Sequence, residues 1–461
     1  MDANTPVKHA NNAPSVSDVH QTSQPHLIAC EECGLVVDVP PLVEGEKAQC
    51  PRCHHTLIKY TSNPYHRTIA YTITCLIMLV LSVSFPFMSF SVKGFSQEIT
   101  LFNSVQMLDH LQNTLLALLL LVTVFLLPAW YICTLLFLHL KAWQLHRKPD
   151  FFPLGRRHQI LCRLLFKVEP WLMVDVFLIG VLVSLVKIAS LADIGMGTSF
   201  WAFCAYTVLV VKCIALTDKS WLWDQFIPRI PTEQIQAGDS HLSNNHISCP
   251  TCHQINPTPK QSQQRHCRCL RCGSQIRAYD PSGSLQRSWA WLIAAAIFYL
   301  PANLYPIMYT VSLGQSDGST ILGGVSLLWY LGSYPIAIVI FIASIFIPMA
   351  KMLTLAWLFI TAHKRQQQPH YKSETHLKAY RITEFIGRWS MIDIFVVAIL
   401  VALVQLHNLM AIYPGPAALS FALVVICTML SAMAFDPRLL WQQSITLQSS
   451  IGPENEKHND E

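Results

Sequence analysis

The chain has 461 residues, a formal net charge of +5, 52% apolar residues and only 13% charged residues, with a mean hydropathy of +0.37. That balance excludes a soluble globular protein of 52.0 kDa and describes a polytopic membrane protein. No G-x-x-x-x-G-K-[ST] or H-E-x-x-H string occurs, so the sequence offers no P-loop or metalloprotease signature, and it reads as a non-enzyme.

In chain order, residues 1–26 are polar and lack an apolar stretch, which predicts a disordered tail and leaves insertion to the first membrane helix. Residues 27–66 hold Cys30, Cys33, Cys50 and Cys53 in the pattern C-x2-C-x16-C-x2-C. Two C-x2-C turns can close a tetrahedral thiolate shell, and they predict a small ribbon built on structural Zn2+ with no open position. Disulfides and an iron site are the competing readings. Residues 67–218 form the first transmembrane module, with charge-poor windows near Thr68–Phe87, Leu111–Leu140, Met173–Leu191 and Ser199–Leu216.

Residues 219–288 then bring a linker and a second ribbon, with Cys249, Cys252, Cys269 and Cys272 each 219 residues after its counterpart. Cys267 is a spare thiol beside it. Arg265, Arg268, Arg271 and Arg277 crowd this ribbon; anionic lipid explains them better than nucleic acid, because the first ribbon is acidic. Residues 289–441 form the second module, with windows near Trp289–Met308, Ser333–Ala362, Ser390–Leu409 and Ala417–Phe435, and 442–461 form a polar tail. The expected fold is therefore all-α: two tandem four-helix transmembrane modules, eight spans in a parallel repeat, each preceded by a cytoplasmic zinc ribbon.

The repeat extends beyond the cysteines. Ser84-Phe85-Pro86-Phe87-Met88 is echoed by Leu304-Tyr305-Pro306-Ile307-Met308, and Trp171-Leu172-Met173-Val174-Asp175-Val176-Phe177 by Trp389-Ser390-Met391-Ile392-Asp393-Ile394-Phe395. Pro128 and Pro348, 220 residues apart, fall in the long second helices and predict kinks. Basic residues, Lys141 to Lys167 and Lys364 to Arg388, follow each second helix, whereas the opposite loops carry only Lys93, so both termini and both ribbons are expected in the cytoplasm.

Ionisable groups within spans are costly and point to function. Lys351 lies one turn past Pro348, where the first module has Tyr131; Lys187 lies deep in the third helix, opposite Gln405. Asp175 and Asp393 begin their helices four residues after Trp171 and Trp389, which predicts a shared face. Helix N-terminal stabilisation is the alternative for the aspartates and snorkelling for the lysines, with snorkelling favoured for Lys212. Cys75, Cys133, Cys162, Cys204, Cys213 and Cys427 read as small buried hydrophobes.

With its twin ribbons, the Phe-Pro-x-Met string and the Trp-x-Met-[Val/Ile]-Asp-[Val/Ile]-Phe string, the chain resembles the bacterial paraquat-inducible protein A family, which includes the LetA proteins, from about Cys30 to Trp441. The resemblance implies an inner-membrane protein that partners a periplasmic MCE-domain tunnel protein and moves phospholipid between inner and outer membranes. It also implies zinc on the eight cysteines and a polar helical core, here Lys187, Lys351, Asp175 and Asp393, that governs transfer. A passive scaffold for the tunnel and a small-molecule secondary transporter are the alternative functions.

Overall fold

The computed structural model describes residues 26–441 except 41, 43, 44, 60–63, 93, 94, 104, 105, 107–113, 148–155, 189–192, 233, 234, 244, 259–265, 313, 314, 331, 333, 366–372, 404 and 407–409. Residues 1–25 of the expected N-terminal tail, the C-terminal tail 442–461, and Lys93, Lys148, Arg265 and Lys372 lie outside the described residues, whereas His26 belongs to a strand.

Each ribbon is a pair of short antiparallel hairpins. In the first, β1 (His26–Ala29) pairs with β2 (Val36–Val39) and β3 (Lys47–Gln49) with β4 (Thr56–Lys59). In the second, β8 (His246–Ser248) pairs with β9 (Ile255–Pro257) and β10 (His266–Arg268) with β11 (Gln275–Arg277). A C-x2-C turn opens every hairpin loop, so the four thiols of a ribbon come from the tips of its two hairpins.

The first ribbon leads into α1 (Pro64–Ser84), and the second into α8 (Pro281–Leu304), whose N-cap Asp280 accepts from the Gly283 N–H. The second helices are interrupted. In the first module α2 (Thr114–Leu120) passes through a π turn at Leu121–Leu126 into α3 (Leu127–Arg147). In the second, α10 (Tyr334–Phe341) passes through a π turn at Ile342–Phe346 into α11 (Ile347–Arg365), α9 (Ile321–Tyr330) preceding it. Pro128 and Pro348 sit just past these turns and explain them. A proline has no N–H for the helix ladder and crowds the carbonyl four residues back. Widening the preceding turn relieves that crowding: Leu127 N–H bonds Val122 O, and Ile347 N–H bonds Ile342 O, each five residues back.

The basic stretches after the second helices are not simple loops. They contain amphipathic helices, α4 (Arg156–Val168) and α12 (Ser373–Trp389), before the third helices, α5 (Val174–Ile188) and α13 (Ile392–Leu403). The fourth helices are α6 (Thr198–Leu216), followed by the short α7 (Lys219–Phe226), and α14 (Pro416–Ala434). Six helical stretches are long and apolar enough to cross a membrane among the described residues: Pro64–Ser84, Ala117–Arg147, Arg157–Leu185, Thr198–Leu216, Ala337–Lys364 and Pro416–Ala434. Of the other expected windows, Trp289–Met308 ends in a strand, and Ser390–Leu409 yields the 12-residue α13, about 18 Å long.

The chain is mostly helical but not all-α. At the helix ends away from the ribbons, β5 (Met88–Val92) pairs with β6 (Phe95–Ile99) and with β7 (Asp193–Met196). In the second module β12 (Met308–Ser312) pairs with β13 (Gln315–Ser319) and β15 (Met410–Pro414), and β15 with β14 (Gln405–Leu406). The two modules meet along their third helices. Phe177 packs edge-on against Phe395 with ring centroids 5.5 Å apart, and Ser184 Oγ reaches Val396 O at 3.5 Å.

Candidate functional site

The four sulfurs of each ribbon converge. Cys30 and Cys53, Cys33 and Cys50, Cys249 and Cys272, and Cys252 and Cys269 are paired at Sγ–Sγ distances of 3.5 Å, and all four sulfurs of each set lie within 4.8 Å of one another. A disulfide needs about 2.05 Å, whereas four thiolates around a tetrahedral ion at about 2.3 Å stand roughly 3.8 Å apart. The sets therefore fit a metal ion.

The backbone repeats one device at all four turns. The residue after the second cysteine takes a left-handed conformation: Gly34 at φ 70°, His54 at 58°, His253 at 54° and Gly273 at 66°. Its N–H bonds the carbonyl of the first cysteine, as in Gly34 to Cys30 and Gly273 to Cys269, both 2.9 Å. All eight cysteines are buried. Cys267 lies on β10, paired in register with Ile276, and is not one of the clustered thiols.

Arg271, expected at the lipid surface, is instead sealed inside. Its side chain is 0% exposed; it donates to Ile227 O at 2.7 Å, Cys252 O at 3.1 Å and Asp224 Oδ1 at 2.5 Å. The paired arginine in the first ribbon, Arg52, stacks over the Trp441 ring at 4.7 Å. Glu32 is held by His55 at 3.1 Å and by Arg381. Burial alone would raise the Glu32 carboxyl, but these two hydrogen bonds outweigh it and hold the group down at about 2.

Within the bundle, Lys351 is 4% exposed and near the middle of the Ala337–Lys364 span. Its Nζ donates to Thr428 Oγ1 on α14 at 3.0 Å. On the facing α12, Gly387 supplies the space: a Cβ there would lie 2.9 Å from the Lys351 amine. Lys351 has no ion pair among the described residues. Tyr131, its first-module counterpart, is fully buried.

The other expected polar residues sit elsewhere. Lys187 is the penultimate residue of α5, at its sheet end and not deep in a span, and its side chain lies outside the described residues. Asp175 is half-buried in the first turn of α5; Asp393 is second in α13, its side chain likewise outside the described residues. The shared face with Trp171 and Trp389 fails. Leu172 is extended at ψ 114°, and Ser390-Met391 separates α12 from α13, so each tryptophan ends one helical segment and each aspartate begins the next. Lys212 is exposed near the ribbon end of α6. Thr428 and Gly387 were not identifiable as site residues from sequence, because neither belongs to a repeated string.

Comparison with known proteins decides the family. The model of the family described as Paraquat-inducible protein A matches residues 65–227 and 285–444. This chain belongs to the paraquat-inducible protein A family. The chain is 40% identical over 427 residues to the intermembrane transport protein PqiA of Escherichia coli (strain K12), covering 92% of this chain and 97% of that protein. It is 28% identical over 428 residues to a probable intermembrane transport protein of Haemophilus influenzae, covering 91% of this chain and 97% of the relative. It is 27% identical over 414 residues to lipophilic envelope-spanning tunnel protein A of Escherichia coli (strain K12), covering 89% and 90%. No solved structure matches. These relatives are named for transport and not for an enzymatic activity, and the six apolar stretches make the family member described here a multi-pass membrane protein.

Proposed function

We propose that this family member is the inner-membrane component of an MCE-type lipid transport system. It takes phospholipid through a lateral cleft in the bundle and exchanges it with a periplasmic MCE-domain tunnel protein, toward or from the outer membrane, with a proton gradient as the drive. The observation that carries this reading is Lys351, a buried amine at mid-span that donates to a neutral hydroxyl and has no ion pair among the described residues. Such a group is expensive in hydrocarbon and persists where an anion or a mobile proton uses it. Lys351 holds the lipid phosphate or exchanges a proton, with Asp175 and Asp393 as acidic partners and Lys187 as a second cation at the sheet end. The names of the relatives, intermembrane transport protein and lipophilic envelope-spanning tunnel protein, agree with a lipid cargo that crosses between membranes.

In this reading eight helices cross the membrane as two parallel modules, 67–218 and 289–441, and the family match in two blocks, one over each module, supports the division. The ribbons at 27–66 and within 219–288 face the cytoplasm and hold one structural Zn2+ each on Cys30, Cys33, Cys50, Cys53 and on Cys249, Cys252, Cys269, Cys272. Zinc adds no redox chemistry there; it holds the hairpins together. Pro128 and Pro348 form the joints about which the second helices bend.

The test is phospholipid transfer from vesicles holding the reconstituted chain together with its tunnel partner. Transfer is expected to depend on an imposed proton gradient and to be lost in Lys351→Ala. Gradient-independent transfer removes the proton coupling, and normal transfer by a folded Lys351→Ala removes the site.

A further inference from the structure

Two tethers, matching in position and in chemistry, cross the molecule. Arg381 on α12 donates to the Cys53 carbonyl at 2.9 Å, and Arg163 on α4 donates to the Cys272 carbonyl. The arginines stand 218 residues apart and their acceptors 219, so each amphipathic helix grips the same point of a four-cysteine turn. The pairing is exchanged: the first ribbon, which leads into the first module, is gripped by the second module, and the second ribbon by the first.

The contacts around each tether follow the same exchange. Trp441, after α14, lies under Arg52 of the first ribbon, and that ribbon's cysteines cluster with Leu355, Leu358 and Tyr380 of the second module. Trp223, 218 residues before Trp441, donates its indole N–H to Thr251 O of the second ribbon at 3.0 Å. Arg271 of that ribbon reaches back to Ile227 O and Asp224. In both halves, then, an arginine between the last two cysteines docks on the segment after a fourth helix, and an arginine of an amphipathic helix caps the last cysteine's carbonyl.

We infer that each four-cysteine centre is a metal-dependent clasp for the module it does not lead into, so that the two modules are locked to each other through exchanged ribbons. The carbonyls gripped belong to turns that the closed thiolate shell holds together with their own backbone bonds, and a ribbon of this size has little apolar core beyond the Ala29, Val36, Ile235 and Ile255 cluster. Loss of metal at the first ribbon therefore frees α12, the helix whose Gly387 backs the Lys351 amine, while loss at the second frees α4. The inference stands on the contacts alone and does not need a lipid cargo.

Hydrogen exchange on the full-length chain in detergent micelles tests it, because local opening is read segment by segment. Cys30→Ser with Cys33→Ser is expected to speed exchange across 373–389 and 437–441 by roughly tenfold, leaving 156–168 and 219–227 within about twofold of the parent. Cys249→Ser with Cys252→Ser is expected to give the mirror image. Should the cysteine variants fail to fold, Arg381→Gln and Arg163→Gln decide the matter: each is expected to loosen its own amphipathic helix and the far ribbon it grips while bound metal stays at two equivalents. Exchange that rises in the module following the altered ribbon, rises equally in both modules, or stays unchanged overturns the exchanged clasp.

Discussion

Replacing Lys351 by methionine probes the cost of the buried amine. The group sits at the centre of a span at 4% exposure, and its hydrogen bond goes to a hydroxyl that itself donates to Val425 O at 2.9 Å. A lysine at the middle of a membrane helix costs about 2.5 to 3.5 kcal/mol, and the bond to Thr428 returns about 1 kcal/mol. Methionine matches the stem in length, carries no charge, and leaves Thr428 with its own carbonyl acceptor. Lys351→Met is therefore expected to stabilise the bundle by about 2 kcal/mol, raising the melting temperature by a few degrees, while it abolishes phospholipid transfer. Thermal unfolding in one detergent, followed by intrinsic fluorescence, reads the first effect, and vesicle transfer reads the second. A lower melting temperature, or undiminished transfer by the folded variant, refutes the reasoning that the amine is kept for function at a cost to stability.

Gly387→Leu is expected to displace the Lys351 side chain and cut transfer at least tenfold, whereas Gly387→Ala, which asks only the flexible amine end to yield, is expected to reduce it less; a crystal or cryo-electron map of the alanine variant checks the displacement. Elemental analysis of the purified chain is expected to give two zinc ions per chain, one in Cys30→Ser with Cys33→Ser, and none when both ribbons are altered. Arg271→Ala leaves the Ile227 and Cys252 carbonyls without their side-chain donor, while Asp224 keeps Arg229, and is expected to cost about 1 to 3 kcal/mol, seen as loss of the second metal ion at lower chelator concentration than the first. His241 is enclosed between Gly34 and Tyr279, and burial, aided by the nearby Arg438 charge, holds its pKa down to about 4. Above about pH 6.5 folded and unfolded forms are both neutral; as pH falls from there toward 4 the unfolded chain gains a proton that the fold refuses. Stability is thus expected to drop through that window, and His241→Phe is expected to flatten the drop in a pH series of melting temperatures.

The metal centres were legible because their chemistry is local: ligand types and spacing suffice, and all eight expected cysteines converge in two sets. The interruptions at Pro128 and Pro348 were legible too, since proline acts on its own turn, although the π form depends on where the lost hydrogen bond is absorbed. The outer sheets were missed despite a signal in the sequence. Met88-Ser-Phe-Ser-Val alternates with period two, but its position after an apolar helix masked the pattern. Arg271 was misread because a sequence shows a charge without showing what surrounds it; Asp224 and Ile227 lie more than 40 residues away along the chain. The pairing of Lys351 with Thr428 and Gly387, and the exchange of the ribbons, belong to tertiary packing and have no local trace.

Photolabelling by a phospholipid that carries a diazirine near its headgroup tests the central claim most directly. In membranes holding the full-length chain, the label is expected on peptides containing Ser344 to Leu355 and Thr428, to be competed away by unlabelled phospholipid, and to disappear in Lys351→Met. Label confined to outward-facing positions such as Ile297, Leu300 and Leu304, equal in both proteins, would contradict a phospholipid site at the buried amine.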